Sequence, residues 1–212
     1  MKKSLLSILF MFLITLAFTA LVSTVRTLSL ERIETNQALK LRRIILKVLD
    51  IKIPDSISDR ELSDMFLLRI KVLEVQNRVV YIGYAEDRTT IQGYAFPIGG
   101  PGFWGPISGI AAVTPDASRI LGIAFDRHSE TPGLGGRITE EWFVEQFKGL
   151  RLFPIEGGNN IFFLKSTDMP KAANEIDAIT GASNTSAAVE AFLNRDLDVF
   201  LKDIWKELKS RE

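Results

Sequence analysis

The residues best suited to chemistry lie in one short run, residues 177–186 (DAITGASNTS), directly before a segment with helical periodicity. Four hydroxyl side chains cluster in this run, on Thr180, Ser183, Thr185 and Ser186. Gly181 and Ala182 are small enough to let a ligand approach the backbone. A helix N-terminus adds unpaired N–H groups and the positive end of the helix dipole, so the run is suited to holding a phosphate. The same residue types form the N-cap of ordinary helices, and residue types alone favour that simpler interpretation.

A second run, residues 128–136 (HSETPGLGG), predicts a turn-rich loop. Pro132 fixes one φ angle while Gly133 and Gly135 permit unusual ones, so the backbone can lie close against something flat. His128 is the only histidine of the chain. It could move a proton, because an unperturbed imidazole has a pKa of about 6.5. We expect instead that it holds the loop through a backbone hydrogen bond.

The composition restricts the chemistry that the chain can perform. Its 212 residues include no cysteine and one histidine, which excludes disulfides, thiolate zinc sites, iron–sulfur clusters held by this chain and imidazole-rich metal sites. Basic and acidic side chains number 26 each, so no net positive field exists to bind nucleic acid. Any redox chemistry must therefore come from an organic cofactor or from a partner.

The beginning of the chain predicts a membrane span. No charged residue lies between Lys3 and Arg26, and a helix of that length crosses ~30 Å of hydrocarbon. A cleaved signal peptide is the alternative, but the apolar run is longer than the usual signal core, and no small-x-small cleavage site follows it. We therefore expect an uncleaved, single-pass anchor in the lipid bilayer.

The rest of the chain divides into a stalk and a folded domain. Apolar residues recur at roughly helical intervals up to Val48, and Pro54 then interrupts the pattern. We expect the transmembrane anchor in residues 1–27, a helical stalk or linker in 28–59 and the folded domain in 60–212. The charges flanking the span do not decide its orientation, but long domains are translocated with little regard to charge. The domain is therefore expected outside the cytoplasm.

Short runs of β-branched and aromatic residues predict a sheet. Residues 70–85 are interrupted by polar residues at Gln76 and Asn77, which indicates a hairpin. Further strands are predicted at residues 91–97, 107–113, 120–125 and 161–164. One helix is predicted at residues 139–149, and a long one after Asn184. Consecutive strands with few helices between them favour an α+β fold, with a mixed or antiparallel sheet and a long C-terminal helix.

Three motifs resemble those of a known family. Residues 177–185 match, in order, the flavinylation motif D-x-x-[ST]-G-A-[ST]-x-[ST] of the FMN-binding domain family. Residues 128–135 resemble the H-x-E-T-P-G-L-G signature of the membrane-bound FMN subunits of two related redox complexes. These subunits are RnfG of the Rnf complex and NqrC of the sodium-translocating NADH:quinone reductase, Nqr. Residues 100–104 (GPGFW) resemble the G-x-G-[LFY]-W stretch of the same subunits.

The resemblance implies a bound FMN and assigns residues to it. In the family, the hydroxyl after the motif's alanine, here Ser183, carries the FMN phosphate in a phosphoester that a flavin transferase makes from FAD with Mg²⁺. The other residues that the resemblance places at the cofactor are Thr180, Gly181, Ala182, Asn184 and Thr185 around the phosphate, Asp177 at the start of the motif, and Glu130, Thr131, Gly133 and Leu134 along the flavin. Trp104 and Phe103 either stack beside the ring or fill the core, the commoner place for aromatic pairs. Because the family's usual acceptor is threonine, tight noncovalent FMN is the alternative.

The resemblance also implies a function. We expect an electron-transfer flavoprotein subunit of an ion-translocating redox complex in the cytoplasmic (inner) membrane, of the RnfG type because the chain is short, with the NqrC type as the alternative. The expected partners are the other subunits, including a second FMN-bearing membrane subunit, and the flavin transferase. No substrate turnover by this chain alone is expected. Two other classes stay open: an anchored module that binds a phosphorylated ligand without passing electrons, and a structural scaffold.

Overall fold

A computed structural model of the chain describes residues 2–152, 163–165 and 174–210. Contacts divide the chain into two compact units, Met1–Lys40 and Leu41–Glu212. The long helix α1, Lys2–Val48, makes up the described part of the first unit and the beginning of the second. Residues 41–48, which the sequence places in the stalk, therefore belong to the compact second unit.

The first unit contains an apolar helical segment. Leu5–Leu30 is long and apolar enough to cross a membrane, with a mean hydropathy of 2.6, and none of it is buried in the protein. Side chains such as Phe10 and Leu16 are exposed along it. Apolar surface of this extent is unfavourable in water and favourable in hydrocarbon, which is the physical basis for predicting an anchor here.

In the second unit, a short helix follows the end of α1. Helix α2, Asp59–Arg69, begins with a capping box, in which Ser58 Oγ accepts a hydrogen bond from the Glu61 N–H at 3.3 Å and the Glu61 carboxylate accepts one from the Ser58 N–H at 2.9 Å. The Ser58 hydroxyl and N–H together lower the pKa of Glu61. Phe66 of α2 is buried and meets Tyr81 edge-to-face at 6.5 Å between ring centroids.

Five strands form an antiparallel sheet in chain order. They are β1 Ile70–Val75, β2 Arg78–Tyr84, β3 Ile91–Pro101, β4 Pro106–Val113 and β5 Ile120–Arg127. The β1–β2 turn consists of Gln76 and Asn77, both with positive φ, as a tight hairpin of matching twist requires. The α+β fold predicted from the sequence is thus confirmed.

After the sheet, the chain forms short elements before the last helices. A 3₁₀ helix, Gly135–Thr139, leads into α3, Glu141–Glu145. The helix predicted at residues 139–149 is therefore shorter, because the chain turns back to the sheet at Gly149, whose φ is +78°. The Gly149 N–H donates to the Ile120 carbonyl at 2.8 Å, and the Ile120 N–H donates to the Leu150 carbonyl at 3.0 Å.

Two short parallel strands and the C-terminal helices complete the unit. Strands β6, Phe163–Lys165, and β7, Glu175–Asp177, pair with each other; the first two residues of the strand predicted at 161–164 lie outside the described residues. Helix α4, Ser183–Val199, continues through a π-helical turn at Phe200–Ile204 into α5, Trp205–Ser210.

The core lies between the sheet and helix α4. Phe200 stacks on Phe96 of β3, with ring centroids 4.1 Å apart and an interplanar angle of 8°. Nearer the start of the helix, Phe192 lies so close to Gly100 of β3 that a Cβ there would stand 2.6 Å from the Phe192 Cβ. This close approach places the middle of α4 beside the end of β3.

Candidate functional site

Three segments that are distant in the sequence line one open pocket of ≈ 290 Å³. They are the turn between β3 and β4, the loop after β5, and the N-terminus of α4. The sequence-predicted residues on its wall are Trp104, Glu130, Thr131, Leu134, Gly181, Ala182, Ser183, Asn184 and Thr185. Phe103 and Gly135 also line it. Tertiary structure thus brings the three motifs together at one site.

The N-terminus of α4 is open toward the pocket. Ala182 occupies the N-cap position, and among the described residues no side chain caps the helix. Gly181 precedes it with a φ of +79°, a left-handed conformation that glycine adopts readily. The first-turn N–H groups and the positive end of the helix dipole are therefore available to an anion. A plain side-chain N-cap, the simpler interpretation of the sequence, is not what forms here.

The four hydroxyl groups of the run have different surroundings. Thr185 is buried, and its hydroxyl donates to Glu130 Oε2 at 2.6 Å. Ser186 is also buried, and its Oγ accepts a hydrogen bond from the Ile179 N–H at 3.0 Å. Thr180 is exposed but is not on the pocket wall, whereas Ser183 is both exposed and on the wall. Ser183 is the hydroxyl that a ligand in the pocket can reach.

Glu130 connects the three segments. Its side chain is 4% exposed. Oε1 accepts hydrogen bonds from the backbone N–H groups of Phe103 at 2.8 Å and Trp104 at 3.1 Å, while Oε2 accepts the one from Thr185. The sequence predicts Glu130 as a residue lining the flavin, but it gives no sign of these contacts because the partners are 26 to 55 positions away.

Two glycines make room for this carboxylate. A Cβ on Gly102 would stand 2.5 Å from Glu130 Oε1, and one on Gly135 would stand 2.7 Å from Oε2 and closer still to the Thr185 hydroxyl. Neither glycine is among the residues that the sequence assigns to the site, although both belong to its motifs. Gly133 is among the residues that the sequence assigns to the site, but it lies outside the pocket wall and has a φ of +74°.

An exposed aromatic pair stands at the mouth of the pocket. Phe103 is 53% and Trp104 66% exposed, and their rings meet edge-to-face at 5.1 Å between centroids. The alternative that this pair fills the core is therefore wrong. Leu134 on the loop is also exposed, and its Cδ2 lies 3.3 Å from where a Cβ on Gly181 would stand. Together these side chains present an apolar surface to a flat ligand.

His128 and Asp177 lie outside the pocket wall. His128 is half-buried behind the loop, and its Nδ1 is buried without a hydrogen-bond partner in the part of the chain that the structure describes. The expected backbone bond is therefore not made through that atom. Asp177, at the end of β7, is held through its backbone, because its N–H donates to Gln146 Oε1 at 2.8 Å.

The sequence of the folded unit matches a known family. Residues 102–198 match the family model described as FMN-binding domain. The match covers a little less than half of the chain, so residues 102–198 are similar to the FMN-binding domain family. The matched segment begins in the β3–β4 turn and ends in α4. It therefore contains all three segments that line the pocket.

Similar proteins extend this finding. The chain is 34% identical over 128 residues to the NqrC subunit of the Na(+)-translocating NADH-quinone reductase of Chlamydia trachomatis, an alignment that covers 53% of this chain and 40% of that protein. The NqrC of Chlamydia pneumoniae is 35% identical over 149 residues, which cover 60% of this chain and 47% of that protein. The chain thus spans less than half the length of these relatives.

Two crystal structures share the fold. Shewanella oneidensis NqrC superposes with a TM-score of 0.70 at 21% identity, covering 81% of this chain and 97% of that one. NqrC from Parabacteroides distasonis gives a TM-score of 0.66 at 24% identity, covering 80% of this chain and 93% of that one. The mixed helix-and-sheet architecture is therefore that of NqrC.

The residues present suit FMN. An uncapped helix N-terminus matches the charge of a phosphate, and an exposed aromatic pair matches a flat ring system. The pocket volume of ≈ 290 Å³ is at the lower end of the ~300–1,000 Å³ usual for ligand sites.

Proposed function

We propose that this chain is a membrane-anchored electron carrier of the NqrC type, which holds FMN through a phosphoester on Ser183. The observation that carries the proposal is the placement of the Ser183 hydroxyl. Ser183 is exposed and is the first residue of a helix that has no side-chain cap. It lines the same pocket as Trp104. A phosphoester needs an accessible hydroxyl beside groups that stabilise the phosphate charge, and this position offers both.

The other hydroxyls of the run are less suitable acceptors. Those of Thr185 and Ser186 are buried and hydrogen-bonded inside the protein, and Thr180 is outside the pocket. In the proposed attachment, the Ser183 oxygen forms a bond to the FMN phosphorus of FAD while AMP leaves, and the hydroxyl proton is released. A flavin transferase with Mg²⁺ carries out this exchange.

Once FMN is attached, it supplies the electron transfer. The protein's own residues bind and orient it. The first-turn N–H groups of α4 would hold the phosphate, with Gly181 and Asn184 beside it. Thr131 and Leu134, which also line the pocket, would lie along the ring. A covalent link prevents loss of the cofactor, and the apolar helix would keep it near membrane partners.

The relatives favour the Nqr type over the Rnf type that chain length led us to expect. Assembly with the other subunits of a sodium-translocating NADH-quinone reductase, including a second FMN-bearing subunit, is part of the proposal. So are an anchor in residues 1–27 within the cytoplasmic membrane and an extracytoplasmic FMN-binding domain. The stalk expected in 28–59 is limited to 28–40 in this proposal, because residues 41–59 belong to the same compact unit as the domain expected in 60–212.

The proposal is tested by producing the full chain with and without a flavin transferase. With the transferase and Mg²⁺, we expect a fluorescent band on a denaturing gel and an intact mass increased by one FMN less one water, as a phosphoester requires. Ser183→Ala should abolish both signals and Ser183→Thr should keep them. Ser129→Ala is the matched control, because it removes an exposed hydroxyl of the neighbouring loop that does not line the pocket, and it should load fully.

Two results would contradict the proposal in different ways. A chain that stays colourless with an active transferase would show that it does not carry tethered FMN. Undiminished fluorescence of Ser183→Ala would show that another hydroxyl is the acceptor. The same measurement of intact mass shows whether the apolar N-terminal segment has been cleaved off, and it therefore tests the prediction of an uncleaved anchor.

A further inference from the structure

We propose that Glu130 is a positioning residue, whose single carboxylate sets the ring-facing wall and the phosphate-facing wall of the pocket relative to each other. The inference rests on the proposed function for the identity of the ligand. The contacts of Glu130 lie within this chain and do not depend on the ligand. Glu130 Oε1 holds the Phe103–Trp104 backbone and Oε2 holds Thr185 of α4.

Glu130 is a buried acidic residue. At 4% exposure, the carboxylate has almost no access to water. A buried carboxylate needs hydrogen bonds in place of its lost hydration. Withdrawing either wall would leave one oxygen unsatisfied, and an unsatisfied buried acceptor is costly. The two walls are therefore held in place by the same group.

Two glycines leave the space that the Glu130 carboxylate occupies. The carboxylate fits between the walls because Gly102 and Gly135 have no Cβ. Both glycines contact it, one from the β3–β4 turn and one from its own loop. A carboxylate enclosed in this way cannot swing to another partner without moving a backbone segment.

The two walls that Glu130 joins contribute different groups to the pocket: the β3–β4 turn contributes Trp104, and α4 contributes its first turn. The β3–β4 turn closes on itself through a bond from the Gly102 N–H to the Gly105 carbonyl at 2.8 Å. That hydrogen bond maintains the shape of the turn, but it does not fix the position of the turn relative to the rest of the pocket. Trp104 is 66% exposed, so side-chain packing restrains it little. Thr185 is the third residue of α4 and belongs to the turn whose N–H groups face the pocket. Glu130 thus aligns the aromatic surface with the anion-binding helix end.

The test uses four variants of the full chain in detergent. Glu130→Gln keeps the connections without the charge, because its carbonyl oxygen can accept from both backbone N–H groups and its NH₂ can donate to the Thr185 hydroxyl. Glu130→Ala breaks both connections. Thr185→Val removes only the hydrogen bond between α4 and Glu130, because valine has a similar shape but no hydroxyl. Thr185→Ser retains the hydroxyl.

The first readout needs no cofactor. The chain has three tryptophans, so fluorotryptophan labelling gives three fluorine NMR signals, each assigned by a tryptophan-to-phenylalanine change. We expect Glu130→Ala and Thr185→Val to shift or broaden the Trp104 signal and to leave Trp205, on the C-terminal helix, unchanged. Glu130→Gln and Thr185→Ser should keep the signal of the unaltered chain.

The second readout is the initial rate of FMN attachment by the transferase. We expect about a tenfold loss in Thr185→Val, the usual effect of one broken buried hydrogen bond to a charged group. The loss in Glu130→Ala should be larger, because that variant breaks three such bonds. Glu130→Gln should stay within about threefold of the unaltered chain. If Glu130→Ala fails to fold, the comparison of Thr185→Val with Thr185→Ser decides.

An unchanged Trp104 signal in Thr185→Val would overturn the proposal, because the helix side would then not influence the turn. Equal effects of Glu130→Gln and Glu130→Ala would overturn it as well, since charge rather than connection would then matter. Failure of the unaltered chain to accept FMN would contradict the proposed function, while the fluorine signals would still decide on Glu130.

Discussion

Gly133 and Gly135 stand two positions apart in the same loop, and we expect alanine to affect them in opposite ways. At Gly133, an added Cβ meets nothing within 4 Å, but the φ of +74° is a left-handed conformation. That conformation costs an L-residue ~1–2 kcal/mol, and a reduced entropy of the unfolded chain offsets ~0.4–1 kcal/mol of it. Gly133→Ala should therefore lower the free energy of unfolding by about 1 kcal/mol and leave FMN attachment intact.

Gly135 is buried, and its backbone φ lies outside the left-handed region. A Cβ there would stand 2.7 Å from Glu130 Oε2 and 3.0 Å from the Glu130 Cβ, whereas ordinary contact begins at 3.4 Å. Overpacking of this kind costs ~1–3 kcal/mol. The displaced groups are the carboxylate that joins the pocket walls and the Thr185 hydroxyl. We therefore expect Gly135→Ala to lose stability and most FMN attachment.

The assay compares both variants with the unaltered chain by thermal unfolding, followed by circular dichroism, and by in-gel flavin fluorescence after production with the transferase. The two variants carry the same added methyl group, so composition cannot explain a difference between them. Full FMN loading of Gly135→Ala, or loss of loading in Gly133→Ala alone, would refute the reasoning from contact distances.

Two further predictions concern acid stability and the division of the chain. Hydrogen bonds from the Thr90 hydroxyl and N–H and the Thr89 N–H lower the pKa of Asp87 from 3.8 to about 2. The stability they contribute is present above the unfolded pKa and is lost as the pH falls from about 4 to about 2, so the melting temperatures of Asp87→Asn and the unaltered chain should differ at pH 7 and converge at pH 2. Because Leu41–Glu212 is a compact unit by itself, a chain lacking residues 1–40 should fold and leave the membrane fraction; its retention in washed membranes would contradict the anchor.

Features that depend on residues close together in the chain could be predicted from the amino-acid sequence. Alternating β-branched residues with a Gln76-Asn77 turn specify a hairpin, and an uncharged run before Arg26 specifies an apolar helix. These patterns work because strand pairing across a tight turn and helix formation are local. The motifs likewise identified the segments that form the site, since each is contiguous in the chain.

The assembly of the site could not be predicted in this way and became visible only in the folded chain. The partners of Glu130 come from two other segments, and no local pattern encodes which of the four hydroxyls is both exposed and on the pocket wall. Thr185 turns inward to that carboxylate while Ser183, two residues earlier, faces the pocket. Likewise, Trp104 is exposed because the Phe103–Trp104 turn lies at the pocket mouth instead of in the core. The physical reason is the same in each case: burial and hydrogen bonding depend on what packs against a residue, and those neighbours are distant in the sequence.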